Sequence, residues 1–147
     1  MNHFAKMMVL AIGLLSTSVA TAATPTEQLG TCLVDSLNGK ERKQLAKWIY
    51  FAIGSHPEIN QYLKATPNDV DTSDKYVGEL ITKLLTVNCP KELVAANKVD
   101  PLAIQKAFEL VGQVAMQELM TNPATMKALT NYANYADQAK VNELLSK

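Results

Sequence analysis

Apolar residues recur along this chain at spacings of three and four residues, the period of an α-helix with one buried face. The clearest case is the stripe formed by Val77, Leu80, Ile81, Leu84 and Leu85. Four further segments show the same period. Their positions are Leu29, Cys32, Leu33 and Leu37; Leu45, Trp48, Ile49, Ala52 and Ile53; Ile104, Phe108, Val111, Ala115 and Leu119; and Met126, Leu129, Ala133, Val141, Leu144 and Leu145. The chain shows no alternating strand pattern of useful length, so these segments predict an all-α protein.

The prolines mark where these helices begin. They occur in the pairs Thr24-Pro25, His56-Pro57, Thr66-Pro67, Cys89-Pro90, Asp100-Pro101 and Asn122-Pro123. Proline is favoured at the first helical position, so we expect a helix to start at each of them, with Asp100 capping the helix that follows it. Thr24 with Glu27 and Asn38 with Glu41 have the spacing of capping boxes. The pattern predicts a single all-α bundle of five to seven helices.

The segment Trp48-Ile49-Tyr50-Phe51 carries more apolar surface than one helix face can bury. A helix that is apolar on several sides is typical of the centre of a bundle. We therefore expect the helix that contains Trp48 to be the central one.

The start of the chain has the layout of a secretory signal peptide. A lone cation, Lys6, precedes the apolar run from Met7 to Leu15, and the segment closes on Ala20-Thr21-Ala22. This order predicts a cleaved signal peptide over residues 1–22 and a single helical domain over residues 23–147. The apolar run is shorter than the roughly 20 residues that cross a bilayer. We therefore expect a periplasmic protein without a membrane span.

The compartment determines what the two cysteines are expected to do. Cys32 and Cys89 are an even count in a chain with a signal peptide, which favours a disulfide between them. The crosslink would tie the first helix to the end of the helix that contains Val77. Chain-entropy arguments give such a closure about 4 kcal/mol of stability.

The charged residues of the chain do not form a basic face. Removal of Lys6 with the signal peptide leaves 13 Lys and Arg residues against 14 Asp and Glu residues, a net charge of −1. The charged residues are dispersed. Nucleic acid is therefore not expected as a partner, because its phosphates require clustered cations.

Candidate catalytic groups are few. Residues 23–147 contain one histidine, His56, and the adjacent Ser55 is poorly placed to bond to it, so we expect these two residues to cap a turn. One histidine and two oxidised cysteines do not make a zinc set, and no metal or cofactor is expected. The acids Asp69, Asp71 and Asp74 lack the spacing of an EF-hand and are expected to complement a helix dipole. A pair of carboxylates for glycoside cleavage is not excluded, since the two residues of such a pair can be far apart in sequence and close together in the fold.

One cluster suggests an interface. Tyr132 and Tyr135, with Met120 and Met126 nearby, lie in the polar, Asn-rich last part of the chain. Tyrosine and methionine are enriched in protein interfaces. Tyrosines three residues apart also occur in ordinary cores, so both interpretations remain open from the sequence.

The order Cys32, Trp48-Ile49-Tyr50-Phe51-Ala52, His56-Pro57 and Cys89 resembles a group of small Gram-negative secreted proteins with no assigned activity. The resemblance covers most of the chain after residue 22. It implies a periplasmic location and a disulfide, and it brings no catalytic residue. In size and helical build the chain is also similar to periplasmic immunity proteins that block cell-wall-degrading effectors, which is an analogy of architecture.

These observations lead to one main hypothesis and two alternatives. The main hypothesis is a non-enzymatic periplasmic protein that binds another protein, of the inhibitor or immunity type. The first alternative is an enzyme that acts on cell wall or glycan through carboxylates not identifiable from sequence. The second is a carrier of a small ligand or lipid, which would need a large closed apolar cavity.

Overall fold

The computed structural model describes residues 22–146, and within them the chain forms eight α-helices and no strand. Their bounds are α1 Pro25–Asp35, α2 Gly39–Gly54, α3 Pro57–Asn60, α4 Pro67–Lys83, α5 Pro90–Val99, α6 Ala103–Met120, α7 Pro123–Thr130 and α8 Gln138–Leu145. A π-helical turn, Leu84–Asn88, continues α4, and a 3-10 turn, Asn131–Asn134, follows α7. The all-α prediction is confirmed, but the helices outnumber the five to seven expected. The predicted signal peptide lies outside the described residues apart from Ala22.

Proline and capping boxes set most helix starts as predicted. Five of the six prolines occupy the first turn of a helix: Pro25, Pro57, Pro67, Pro90 and Pro123. The side chain of Thr24 accepts from the backbone N–H of Glu27, and the Glu27 carboxylate accepts in return from the N–H of Thr24. Asn38 and Glu41 form the same reciprocal pair at the start of α2. These caps satisfy backbone donors that a helix start leaves unpaired.

The sixth proline does not begin a helix. Asp100 ends α5, and its Oδ1 accepts from the N–H of Leu102 at 2.8 Å, so residues 100–102 form a tight turn. The helix α6 starts only at Ala103. The predicted start at Pro101 is therefore two residues early, because the Asp100 side chain closes a turn on its own backbone instead of capping α6.

The centre of the bundle is α6 rather than α2. Helix α6 packs against α1, α2 and α5, while α2 packs mainly on α6 and α4. Tyr50 and Ile53 of α2 are each 53% exposed, so the second half of this helix faces solvent on one side. The expectation that α2 is buried on several sides is wrong. Its excess apolar surface lies outside the core.

The core consists of leucine, valine and alanine side chains from α1, the α1–α2 connection, α2, α4, the π-helical turn, α5 and α6, with Cys89 among them. Its members are Leu29, Leu33, Leu37, Leu45, Ala46, Val77, Leu80, Leu84, Cys89, Ala96, Ala103, Ala107, Val111 and Ala115. In α6 the buried positions are the alanines Ala103 and Ala107 followed by Val111 and Ala115. The predicted stripe placed Ile104 and Phe108 there instead. Ile104 is exposed and Phe108 is partly buried.

Helices α2 and α4 run antiparallel and are joined by two polar contacts. The indole N–H of Trp48 donates to Oδ1 of Asp74 at 2.8 Å. Near the start of α2, the carboxylate of Glu41 pairs with Lys83, close to the end of α4, at 3.4 Å. Glu41 is only 8% exposed, so this carboxylate lies at the edge of the core.

The predicted disulfide between Cys32 and Cys89 is confirmed, with an S–S distance of 2.05 Å and a Cα–Cα distance of 6.0 Å. It joins α1 to the residue that follows the π-helical turn. Within that turn the N–H of Cys89 donates to the carbonyl of Leu84, five residues back. The wider turn places Cys89 over Leu84, and both residues are fully buried.

None of the helices within residues 22–146 is both long enough and apolar enough to cross a membrane.

Candidate functional site

The last fifth of the described chain leaves the bundle. We call residues 121–146 the helical arm. Helix α7 contacts the end of α6 and the 3-10 turn, and α8 packs on no other element of residues 22–146. Every residue of the arm is exposed except Thr125, which is half-buried.

The helical arm carries large apolar side chains that the bundle does not cover. Seven of them are between 39% and 85% exposed: Met126, Leu129, Tyr132, Tyr135, Val141, Leu144 and Leu145. A single exposed apolar residue is normal on a protein surface, but seven large ones within 20 residues are more than a surface needs. This arm is the candidate site of the protein.

Local hydrogen bonds define the shape of the arm. The Asn122 side chain accepts from the N–H groups of Ala124 and Thr125 at 2.9 Å and 3.2 Å, which starts α7 after a sharp break from α6. The N–H of Tyr135 donates to the carbonyl of Tyr132 at 2.9 Å. Tyr132 lies within the 3-10 turn and Tyr135 is the residue that follows it.

All four residues of the predicted interface cluster are exposed. Met120 is the last residue of α6 and Met126 lies in the second turn of α7, on either side of the break at Asn122. The structure thus places the two methionines in consecutive helices, Tyr132 in the 3-10 turn that follows them and Tyr135 directly after that turn. Sequence reasoning did not select Leu129, Val141, Leu144 and Leu145. Their helical spacing is visible in the sequence, but it is the same for a buried face and for a binding face.

A second exposed apolar patch lies where α2 ends and α3 begins. It comprises Tyr50, Ile53, Ile59 and Tyr62. Lys47 lies over the ring of Phe51, 5.8 Å from its centroid, on the same stretch of α2. The patch belongs to the bundle, and its tyrosines provide matched controls for those of the arm.

The residues considered for catalysis have structural partners. The hydroxyl of Ser55 donates to the carbonyl of Ala52 at 2.7 Å, and Nδ1 of His56 accepts from the N–H of Glu58 at 3.3 Å. Each side chain thus bonds to the backbone of its own helix end or start. The interpretation of Ser55 and His56 as capping residues agrees with this geometry.

Asp69, Asp71 and Asp74 of α4 each have a different partner. Asp69 closes a capping box with Thr66, and the hydrogen bonds from the Thr66 side chain and backbone hold the pKa of Asp69 below its ordinary value. Asp71 pairs with Lys75 at 2.7 Å, and Asp74 accepts from the indole of Trp48. Among the residues that the structure describes, no group of three or more His, Cys, Asp or Glu side chains could hold a metal ion.

A groove of about 990 Å³ runs between the first turns of α1 and the α5–α6 junction. Gly30 and Leu110 contribute to its apolar wall, and Glu27, Asp100 and Lys106 bring charges to it. The groove is open to solvent. It therefore differs from the closed apolar cavity that the carrier hypothesis requires.

The arm carries few charges, and they are of both signs. Asp137 caps α8 and pairs with Lys140 at 3.1 Å, and hydrogen bonds from the Lys140 backbone and side chain lower the pKa of Asp137. The other charged side chains of residues 121–146 are Lys127 and Glu143. The surface offered by the arm is therefore apolar and aromatic rather than cationic.

Comparisons of the chain with protein-family models, with curated proteins and with solved structures found no match.

Proposed function

We propose that this chain is a non-enzymatic protein that binds another protein, and that the helical arm is its binding element. The observation that supports the proposal is the apolar surface of residues 121–146, which no other described element covers. The disulfide-linked bundle acts as the rigid support from which the arm projects.

The size of the surface matches a protein interface. The seven large apolar side chains of the arm expose on the order of 800 Å² together, judged from the area that residues of their size bury. Each partner in a standard protein–protein interface contributes about 800 Å². Tyrosine and methionine, which make up three of the seven, are the residue types that interfaces favour.

The charges of the arm favour a protein over other partners. Nucleic acid and anionic membrane surfaces attract clustered lysines and arginines. The arm offers Lys127 and Lys140, and Lys140 is already paired with Asp137. The surface therefore fits a partner with an apolar patch of its own.

The periplasm is the proposed site of this interaction. The layout of residues 1–22 and the disulfide between Cys32 and Cys89 support this location. An inhibitor or immunity role fits a small crosslinked scaffold with an exposed binding arm. It would require the partner to be an enzyme whose activity falls when this chain binds.

The experiment is an affinity purification from periplasmic extract with tagged residues 23–147, followed by calorimetric titration of the recovered partner. The test variant is Tyr132→Ala with Tyr135→Ala. We expect its affinity to fall at least tenfold, as for the central aromatic residues of an interface. The matched control is Tyr62→Ala, because Tyr62 and Tyr132 are both 72% exposed and Tyr62 lies outside the arm.

Two results would overturn the proposal. Unchanged affinity in the double tyrosine variant would remove the arm from the binding site. Turnover of a cell-wall or glycan substrate by residues 23–147, lost on substitution of a single Asp or Glu, would replace the binding function with the enzymatic alternative.

A further inference from the structure

We propose that the disulfide is opened and closed from one side only. An external dithiol, of the kind carried by thiol–disulfide exchange proteins, attacks Sγ of Cys32, and Cys89 is the sulfur that leaves. In the reverse direction Cys32 carries the mixed disulfide and the Cys89 thiolate resolves it. This inference is independent of the proposed binding function.

The burial of the two sulfurs differs. Cys89 is fully buried among the core leucines. Cys32 is half-buried and lines an open groove of about 410 Å³ with Gln28, Asp35 and Glu92. An attacking thiolate approaches a disulfide in line with the S–S bond, so it needs space beyond the sulfur that it attacks. The open groove borders Cys32 and gives a reagent access to that residue, whereas core side chains enclose Cys89.

The position of Cys89 also suits a leaving group. Cys89 immediately precedes Pro90 and is the N-cap residue of the ten-residue helix α5. The positive end of a helix dipole stabilises a thiolate at this position. The hydroxyl of Ser36 lies 3.8 Å from Sγ of Cys89, and because a disulfide sulfur has no hydrogen, the hydroxyl is the donor. Burial in the apolar core opposes a charge on Cys89, and the start of α5 together with the Ser36 hydroxyl offsets part of that cost. The difference in access therefore decides the direction of attack.

The step balances without a further reactant. The incoming thiolate forms a bond to Sγ of Cys32, the Cys32–Cys89 bond breaks, and its electron pair passes to Sγ of Cys89. The second thiol of the dithiol loses its proton, and this loss balances the proton that the Cys89 thiolate takes up. The second sulfur then attacks the dithiol's own sulfur in the mixed disulfide, and Sγ of Cys32 leaves as a thiolate that takes a proton from solvent. The dithiol is thereby oxidised and the Cys32–Cys89 pair is reduced.

Two carboxylates affect which thiols react. Asp35 and Glu92 line the groove beside Cys32, and neither has a cation among the ion pairs that the structure shows. Their charge repels an anionic thiolate reagent and attracts a cationic one at low salt. We expect the groove to favour cationic reagents.

The first test maps the point of attack on oxidised residues 23–147. The protein is exposed briefly to 2-mercaptoethanol, quenched with an alkylating agent and analysed by peptide mass mapping. We expect at least a tenfold excess of molecules with the mixed disulfide on Cys32 and the alkyl group on Cys89. Equal amounts of the two products, or an excess of the opposite one, would overturn the proposal.

The second test uses single-cysteine variants and does not depend on trapping an intermediate. Reaction with an aromatic disulfide should be at least tenfold faster for the Cys32 thiol in Cys89→Ser than for the Cys89 thiol in Cys32→Ser. In strong denaturant both rates should converge. Equal rates for the two thiols in variants that circular dichroism shows to be folded would contradict the proposed access.

The third test concerns charge. Reduction by cysteamine should exceed reduction by 2-mercaptoethanesulfonate by about threefold or more at low salt, after normalisation to thiolate concentration. The combined Asp35→Asn and Glu92→Gln variant should lose this preference. Retention of the full preference in that variant would exclude the two carboxylates as its source.

Discussion

Gly30 of α1 lies directly against Ala107 of α6. A Cβ atom added to Gly30 would come within 3.6 Å of the Ala107 backbone and within 3.3 Å of the Leu110 side chain. Gly30 and Ala107 are both buried. The two helices meet here through their smallest residues, which lets their backbones approach closely.

Because of this contact, we expect the stability of the protein to depend steeply on side-chain size at residue 30. Gly30→Leu should lower the free energy of unfolding by about 2 kcal/mol, since a side chain larger than Cβ must displace Leu110, whose Cδ2 already lies 3.3 Å from the Cβ position. Gly30→Ala should change it by less than about 1 kcal/mol, because better helix propensity offsets the tighter contact with Leu110. Urea denaturation followed by circular dichroism measures both.

The control for this series is Gly78 in the exposed middle of α4, where an added Cβ meets nothing within 4 Å. Gly78→Ala and Gly78→Leu should both stabilise the protein, by up to about 1 kcal/mol. Similar losses at positions 30 and 78 would mean that helix propensity, rather than the contact with Ala107, decides the outcome.

The same contact explains why the buried face of α6 could not be predicted correctly. Hydrophobicity favours Ile104 and Phe108 over Ala103 and Ala107, so the sequence pattern places the larger pair inside. Where α6 packs closely against α1, small side chains are needed, so the alanines face the core. Since the crossing depends on Gly30, about 75 residues earlier in the chain, local periodicity carries no information about it.

For the helix starts and the disulfide, the sequence alone was sufficient to predict the structure. Capping boxes and prolines act within four residues, so Thr24, Asn38 and five of the six prolines marked helix starts correctly. The disulfide followed from two cysteines and the inferred compartment. The exposure of the arm did not follow, because Leu129 and Leu144 have the spacing of a buried face and only the tertiary structure shows that nothing in the described chain packs on them.

The cap of α2 should contribute more to stability than the ion pair between Glu41 and Lys83. Asn38→Ala removes the side-chain oxygen that accepts from the N–H of Glu41 at 3.0 Å and leaves the ion pair in place, and it should cost about 1–2 kcal/mol of unfolding free energy. Lys83→Ala should cost less than about 1 kcal/mol, because Lys83 is more than half exposed. Chemical denaturation of both variants tests this order, and a larger loss for Lys83→Ala would reverse it.

Stability should fall in acid through the caps of α1 and α4. Hydrogen bonds from Thr24 lower the pKa of Glu27, and those from Thr66 lower the pKa of Asp69. A carboxylate whose pKa is lower in the folded than in the unfolded state stabilises the fold above its unfolded pKa, about 4. That contribution disappears as the pH falls through the folded pKa.

The matching measurement is the melting temperature between pH 7 and pH 2.5. The combined Glu27→Gln and Asp69→Asn variant should show a smaller acid-induced drop than the unmodified chain. Glu79→Gln removes one carboxylate from the exposed middle of α4 without touching a cap, and it should leave the drop unchanged. Identical pH profiles for all three proteins would rule out the caps as the source of acid sensitivity.

The disulfide should be a major source of net stability. Its cysteines are 57 positions apart, and closing a loop of that length in the unfolded chain is worth about 4 kcal/mol. Replacement of both cysteines by serine should therefore lower the unfolding free energy by several kcal/mol, a large part of the total for a domain of this size. Denaturant titration checks the loss, and a change below about 1 kcal/mol would show that the crosslink constrains the unfolded chain little.

Removal of the helical arm, unlike removal of the disulfide, should leave the free energy of unfolding almost unchanged. A chain that ends at Met120 retains every residue of the buried core, and α8 packs on no other described element. Its unfolding should stay cooperative, with a free energy within about 1 kcal/mol of the full chain, because the arm contributes exposed rather than buried apolar area. Partner binding should be lost in the same protein. A large loss of stability on truncation would instead assign the arm to the fold.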